Sequence, residues 1–364
     1  MNLFKRFSKH DEKYASQASI GRLNVWCTKP FEEVEIHPKG IVYLCCPNWN
    51  NYYSIGNVFE NSFEDVWNSE KAQELRRRIF RHDYSLCDED SCAYCKNRSF
   101  PYPYIEPKDC SEVMKRLPAV VKMSYDPECN IACRMCRDKI KRLSNEDLDL
   151  YNSKIDTFFL PMLKDAKILF INAHGDAFGS RHSRLLIKKA AQAYPTLRFD
   201  FSTNGILCTE KMFNNLNITP EKIDTIRISI HAASAETYGK IVQHGEKLFP
   251  QIIKNLEFLS QLRKKSLFRL FVHFVVSSLN YKEIPAFIEL AEKYDILPFF
   301  WELRSAQYHY SWDENDFIAQ KSHPHYNDLK EVLKHPLVHK YRQKHFSPVL
   351  SDIIKEGMLE ITRD

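Results

Sequence analysis

Glycine is scarce in this chain, nine in 364 residues, and that scarcity excludes collagen-like and glycine-rich low-complexity architectures. Long apolar runs are missing too. None approaches the ~18 residues that a membrane-spanning helix needs, so no membrane span is expected. The stretch Met1 to Lys13 is polar and basic; it lacks the apolar centre of a secretory signal, and a cytoplasmic location is expected. A dominant charge is also lacking: 52 Lys and Arg stand against 47 Asp and Glu, a net +5. Nucleic-acid binding needs a concentrated basic stripe, and Arg76-Arg77-Arg78 is too short to supply one. Beyond Cys136, cysteine itself all but disappears, with Cys208 the last.

What is present is a core and a metal chemistry. Hydrophobic residues make up 44% of the chain, with 24 Phe and 18 Tyr, enough to argue against disorder. The length fits two domains plus extensions. Ten of the 11 cysteines lie between Cys27 and Cys136. Without a secretory signal, such clustering points to metal or redox chemistry rather than to a disulfide framework.

Residues 1–20 read as a loose arm. Residues 21–110 hold seven cysteines and a hairpin over Glu33 to Leu44 with its turn at Pro38-Lys39-Gly40. Ser62 to Asp65 opens a helix in capping-box fashion; it is expected to run on through Val66, Trp67, Leu75 and Ile79. Phe100 to Pro107 reads as a linker. From about 118 the pattern alternates. Strands are expected at Ala119–Tyr125, Ile168–Ala173, Arg198–Thr203, Thr225–His231, Phe268–Val276 and Leu297–Leu303. Helical faces between them include Phe249, Ile252, Ile253, Leu256 and Leu259, then Ile284, Phe287, Ile288 and Ala291. Ser144 with Asp147 marks another helix start. Alternation of this kind predicts an α/β fold with a parallel sheet. The array is too short for a closed eight-unit barrel, so a partial (β/α)6 barrel over 118–310 is expected. Residues 311–364 read as a helical tail.

Cys129-Asn130-Ile131-Ala132-Cys133-Arg134-Met135-Cys136 follows the first strand of that array. Three thiolates at C-x3-C-x2-C spacing suit one metal centre, on the strand-end face where α/β barrels bind ligands. A zinc knuckle with a distant fourth ligand is the competing reading. The next strand ends in Asn172-Ala173-His174-Gly175-Asp176-Ala177. The third ends in Ser202-Thr203-Asn204-Gly205. The fourth, Ile228-Ser229-Ile230-His231, leads into Ala235-Glu236-Thr237-Tyr238. With these motifs in order, residues 118–305 resemble the radical S-adenosylmethionine (SAM) enzymes. The resemblance implies a [4Fe–4S] cluster on Cys129, Cys133 and Cys136, with one iron left open for SAM. It implies SAM contacts at Gly175, Asp176, Asn204 and Ser229, with Met135 near the adenine. It also implies reductive cleavage of SAM to a 5′-deoxyadenosyl radical that takes a hydrogen atom from a substrate C–H bond, the cofactors carrying the hard chemistry. A one-electron donor such as flavodoxin or ferredoxin is the implied partner. Two departures stand out: Met135 replaces a frequent aromatic, and His174 and Asp176 replace a Gly and a Glu.

The earlier cysteines resemble the SPASM auxiliary-cluster module of the same enzymes. Twelve residues separate Cys27 from Gly40, and four separate Gly40 from Cys45. Ile55 to Val58, Phe63 to Ser69, Leu75-Arg76 and then Cys87, Cys92 and Cys95 continue the likeness. The module ordinarily follows the barrel; here a small cysteine-rich α+β domain precedes it, with too few cysteines for two clusters. One auxiliary [4Fe–4S] cluster on Cys27, Cys45, Cys87 and Cys92 is implied, with Cys46 and Cys95 as substitutes and a four-thiolate zinc site as the rival.

Other residues carry weaker expectations. Cys208 is a candidate hydrogen-atom donor, set against its bland reading as a small buried hydrophobe, and Cys110 ranks below it. His174, His231, Glu302 and Arg304 end strands where substrate would bind. His309, His323, His325, His339 and His345 show no metal spacing. Three functions remain open: modification of a peptide or protein, dehydrogenation or epimerisation of a sugar or other small polar metabolite, and a zinc-stabilised binding module without catalysis.

Overall fold

The computed structural model describes residues 26–88, 92, 94–95, 104, 106–171, 174–303, 316–342 and 345–361. The arm 1–20, Asn172-Ala173, Arg304, His309 and most of the 100–107 linker lie outside the described residues. The fold is mixed α/β and divides into two compact units. The first comprises Met1–Asp126, Asp149–His174 and Lys189–Phe199; the second comprises Pro127–Leu148, Gly175–Lys188 and Asp200–Asp364.

In the first unit, β1 (Glu33–Ile36), β2 (Ile41–Tyr43), β3 (Gly56–Asn57), β4 (Val120–Met123) and β5 (Ile168–Ile171) are ordered β3-β2-β1-β4-β5. The hairpin β1–β2 is antiparallel, while β1 pairs parallel with β4, and β4 with β5. The turn lies where its chemistry predicts. Lys39 and Gly40 both take positive φ, 63° and 79°, and a Cβ on Gly40 would meet Asn57 Oδ1 at 2.5 Å. Residues on both faces of β4 and β5 are largely buried, as parallel strands require.

Short helices accompany the hairpin in this unit: α1 (Lys29–Glu32), α2 (Phe63–Trp67) and α3 (Glu70–Phe80); α4 (Asn145–Lys154) starts in the second unit and ends in the first. The single helix expected from Ser62 onward is two, broken at Asn68. Its side chain accepts from Met114 N at 2.8 Å and donates to Met114 O at 3.0 Å. Ser62 caps α2 through Asp65 N at 3.2 Å, and Ser69 caps α3 through Ala72 N at 3.3 Å. Arg76 is fully buried, 4.4 Å over the Trp67 ring, and donates to the carbonyls of Pro30 and Glu112.

The second unit begins with the cysteine loop; α5 (Arg181–Ala193) starts in it and ends in the first unit, and β6 (Arg198–Thr203) starts in the first and ends in the second. The second unit continues through α6 (Glu210–Asn215), β7 (Ile223–Ser229), α7 (Ala235–Ile241), α8 (Phe249–Lys265), β8 (Arg269–Val276), α9 (Ile284–Lys293) and β9 (Leu297–Glu302). β7, β8 and β9 pair in parallel. Burial alternates strictly along β8, with Leu270, Val272, Phe274 and Val276 inside, the period-two signature of a strand. α8 buries Phe249, Ile252, Leu256 and Leu259 as its periodicity predicts, and also Asn255. The tail is helical: α10 (Tyr326–Leu333), α11 (Pro336–Tyr341) and α12 (Pro348–Ile361). Among the described residues, no helix is long and apolar enough to cross a membrane.

Candidate functional site

Backbone hydrogen bonds shape the cysteine loop of the second unit. Cys129 N donates to Lys141 O at 3.1 Å, and Arg134 N to Ile241 O at 2.7 Å. Cys133 forms an antiparallel bridge with Val242, just past α7. Cys136 N and Arg137 N both donate to Cys133 O, at 2.8 and 2.9 Å, so the second and third thiols share one tight turn. Burial pushes the Cys129 thiol up to about 11, with Asp176 adding to the rise and Arg137 opposing it. Cys133 is raised further, by burial first and then by Cys136 and Cys129. Thiols held neutral in this way release protons when a metal binds.

Asp176 is the knot of the site. Its carboxylate is 1% exposed. Oδ1 accepts from Phe178 N at 3.0 Å and Gly179 N at 2.7 Å. Oδ2 accepts from Thr203 Oγ1 at 2.9 Å and Asn204 N at 2.6 Å. These four donors fill its ordinary accepting positions, so its place is structural: it ties the turn after β5 to the end of β6. Asn204 carries the tie onward, donating to Asn130 Oδ1 at 2.9 Å and lying 3.8 Å from Cys129 Sγ. Gly205 takes φ 82°, and a Cβ there would reach Ile228 Cγ2 at 2.6 Å. Asn255 of α8 fixes this turn by donating to Gly205 O and Ile206 O at 2.7 and 2.8 Å. The periodicity of α8 gives no hint of a buried amide there.

The remaining candidates of this unit separate. Gly175 and Ser229 are half-buried at the start of the Asp176 turn and the end of β7. Met135 lines a small cleft with Ile241, Leu279 and Leu303. His231 sits at φ 62° and accepts from Val275 N through Nδ1 at 3.0 Å; burial lowers it to about 4. Cys208 is fully buried with its thiol 3.9 Å from Thr203 Oγ1. Glu302 accepts from Ser347 Oγ, and His345 Nδ1 donates to the Pro298 carbonyl at 2.8 Å.

In the first unit, Cys27, Cys45, Cys87, Cys92 and Cys95 line one cavity, with Lys29, Trp49, Asn50 and Tyr94 among its walls. Cys27, Cys45, Cys92 and Cys95 are buried, and Cys87 is half-buried. Burial lifts Cys27 to about 12, and Cys95 and Cys92 add to the rise. Cys46 lies outside the lining and feels Glu35. Cys110 bonds the Glu106 carbonyl instead, and His174 packs edge-on against His37. All eleven cysteines are free thiols.

Both cysteine sets suit a cluster. Cysteine thiolates ligate iron–sulfur clusters and zinc alike; among the described residues, no three Cys, His, Asp or Glu side chains are gathered for a single ion. In the second unit, the Tyr238 hydroxyl of α7 is buried and finds no hydrogen-bond partner among the described residues. Its charged neighbours are Cys133, Asp176 and Cys129. A buried polar group without a partner is costly; this one lies beside two of the loop thiols and the Asp176 carboxylate, a setting with room for a polar partner.

Comparison with known proteins agrees. Residues 27–96 match the SPASM family, described as an iron–sulfur cluster-binding domain. The chain is 28% identical over 147 residues to the FeMo cofactor biosynthesis protein NifB of Methanocaldococcus infernus, 35% of this chain and 46% of that protein. It is 23% identical over 224 residues to the GTP 3′,8-cyclase of Chlorobaculum tepidum, 60% of this chain and 65% of that enzyme. The chain thus spans less than two thirds of the length of these relatives. Streptococcus suis SuiB bound to S-adenosylmethionine aligns with a TM-score of 0.43 at 10% identity, over 78% of this chain and 62% of that one.

Proposed function

We propose that the chain is a radical SAM enzyme with one auxiliary cluster, acting on a peptide or protein. The observation that carries the reading is the loop of Cys129, Cys133 and Cys136, with the unpartnered Tyr238 hydroxyl beside it. The SPASM match over residues 27–96 supports the auxiliary cluster, and the similarity to curated enzymes supports catalysis. In this reading, residues 118–310 form the partial barrel, 21–110 the auxiliary domain and 311–364 a helical extension.

Bound at the triplet, a [4Fe–4S] cluster and SAM supply reductive cleavage of the sulfonium and removal of a substrate hydrogen atom. The chain's own residues do the rest. Cys129, Cys133 and Cys136 hold the cluster. Asp176 fixes the strand-end turns, and Asn204, Gly175, Ser229 and Met135 face SAM. Cys27, Cys45, Cys92 and Cys95, the four buried thiols of the first unit, are the favoured auxiliary ligands, with Cys87 as the fifth. A flavodoxin or ferredoxin is the fitting electron donor.

A second reading, a small polar metabolite as substrate, draws on the Asp200–Arg227 pair that joins β6 to β7. Anaerobic purification followed by iron, sulfide and zinc analysis tests the metal assignment. About eight irons per chain are expected for two clusters; zinc in place of iron contradicts it.

A further inference from the structure

We propose that Arg137 is a positioning residue of the cysteine triplet, and that its fixed guanidinium raises the reduction potential of the cluster held there. The inference rests on the reading of Cys129, Cys133 and Cys136 as cluster ligands.

Arg137 directly follows the third cysteine and is only 5% exposed. Its Nε donates to Cys136 Sγ at 3.4 Å, and its Nη1 donates to the Pro127 carbonyl at 2.7 Å. One side chain therefore spans the loop from the residue that opens it to the thiol that closes it. Arginine stays protonated under all ordinary conditions, so the charge is permanent.

The energetics point one way. Bringing a guanidinium to 5% exposure is costly. Three thiolates carrying an anionic cluster supply the opposite charge that offsets it. Reduction adds one more negative charge at the cluster. A cation and an N–H···S bond at a ligand sulfur stabilise the reduced form more than the oxidised form, and hydrogen bonds of this kind are among the determinants of cluster potential. The nearby Asp176 carboxylate is engaged by four hydrogen bonds of its own. Asn204 adds a weaker N–H contact at 3.8 Å from Cys129 Sγ.

The test is an EPR-monitored redox titration of the full chain after cluster reconstitution, following the signal that added SAM perturbs. R137M removes the charge at similar volume; R137K keeps it and loses the fork. The expected result is a potential shifted negative in R137M, a smaller shift in R137K, and an unchanged auxiliary signal in both. Failure of R137M to load iron at the triplet, with loading rescued in R137K, also supports the positioning role. If neither variant loads, wild-type protein labelled with 15N-arginine decides: a 15N hyperfine coupling at the reduced SAM cluster is expected, and its absence overturns the inference. Unchanged potential in a fully loaded R137M overturns it as well. A wild-type chain that takes up no iron at the triplet overturns the reading of the site and this inference together.

Discussion

Asp176 shows how much one side chain can organise. Four donors converge on its two oxygens, and an amide in its place keeps one accepting oxygen and turns two N–H groups toward donors. D176N is expected to destabilise the protein by roughly 2–4 kcal/mol through buried donors left without partners, read as a lower midpoint in urea unfolding. A wild-type midpoint would show that the knot is not under load. From sequence, Asp176 reads as a SAM contact by its position after Gly175. The structure adds partners within the protein, Thr203 and Asn204, distant in the chain, so local pattern carries no trace of them. Arg137 is the opposite case. It sits beside the motif, yet the sequence gives no reason to bury an arginine there; only the distances to Cys136 and Pro127 do. Cys208 differs again: its place after Asn204-Gly205 suggests reach toward the strand-end face, and it is fully buried there.

Among the elements, capping and turn chemistry are the best-marked features in the sequence. Ser62 and Ser69 each cap a short helix, and S62A and S69A are each expected to cost ~1 kcal/mol, additive within error if the two helices unfold together. The break at Asn68 is unmarked, because its cause is a pair of hydrogen bonds to Met114, 46 residues away. Arg76 makes the same point more forcefully. It joins α3 to the end of α1 and to Glu112 through carbonyl acceptors, and burial lowers it to about 9. R76A is expected to cost ~3 kcal/mol or more, since it leaves those acceptors bare and opens a cavity beside Trp67; chemical denaturation checks it. The hairpin β1–β2 is legible from its turn residues, whereas the parallel pairing of β1 with β4 joins segments far apart in sequence and has no local signal.

For the whole molecule, pH is a sensitive probe of the packing. Burial keeps His182 and His273 down to about 3 and His231 to about 4. Below pH ~6.5 the unfolded chain takes up protons that these folded imidazoles refuse, so stability falls as pH drops from there toward 4 and 3. Glu33 acts in the same direction. Burial would raise its carboxyl, but Lys122 and Lys29 hold it to about 2, so its contribution is present above pH ~4.5 and is lost toward pH 2. The urea midpoint is expected to fall between pH 7.5 and 5.5, by roughly 1 kcal/mol per buried histidine. A flat profile would mean that the three imidazoles are open to water.

The alternation of strands and helices is legible from periodicity; the grouping of Cys27, Cys45, Cys87 and Cys92 is legible only through the family resemblance, and the addition of Cys95 to the same cavity comes from the fold. The central claim is that Cys129, Cys133 and Cys136 hold a cluster that cleaves SAM. Its most direct measurement is 5′-deoxyadenosine formed by the anaerobically reconstituted chain with SAM and dithionite. The account predicts deoxyadenosine from the wild type, none from C129A/C133A/C136A, and residual uncoupled formation from C27A/C45A. Deoxyadenosine absent from an iron-loaded wild type, or still formed at the wild-type rate by the folded triple variant, would contradict it.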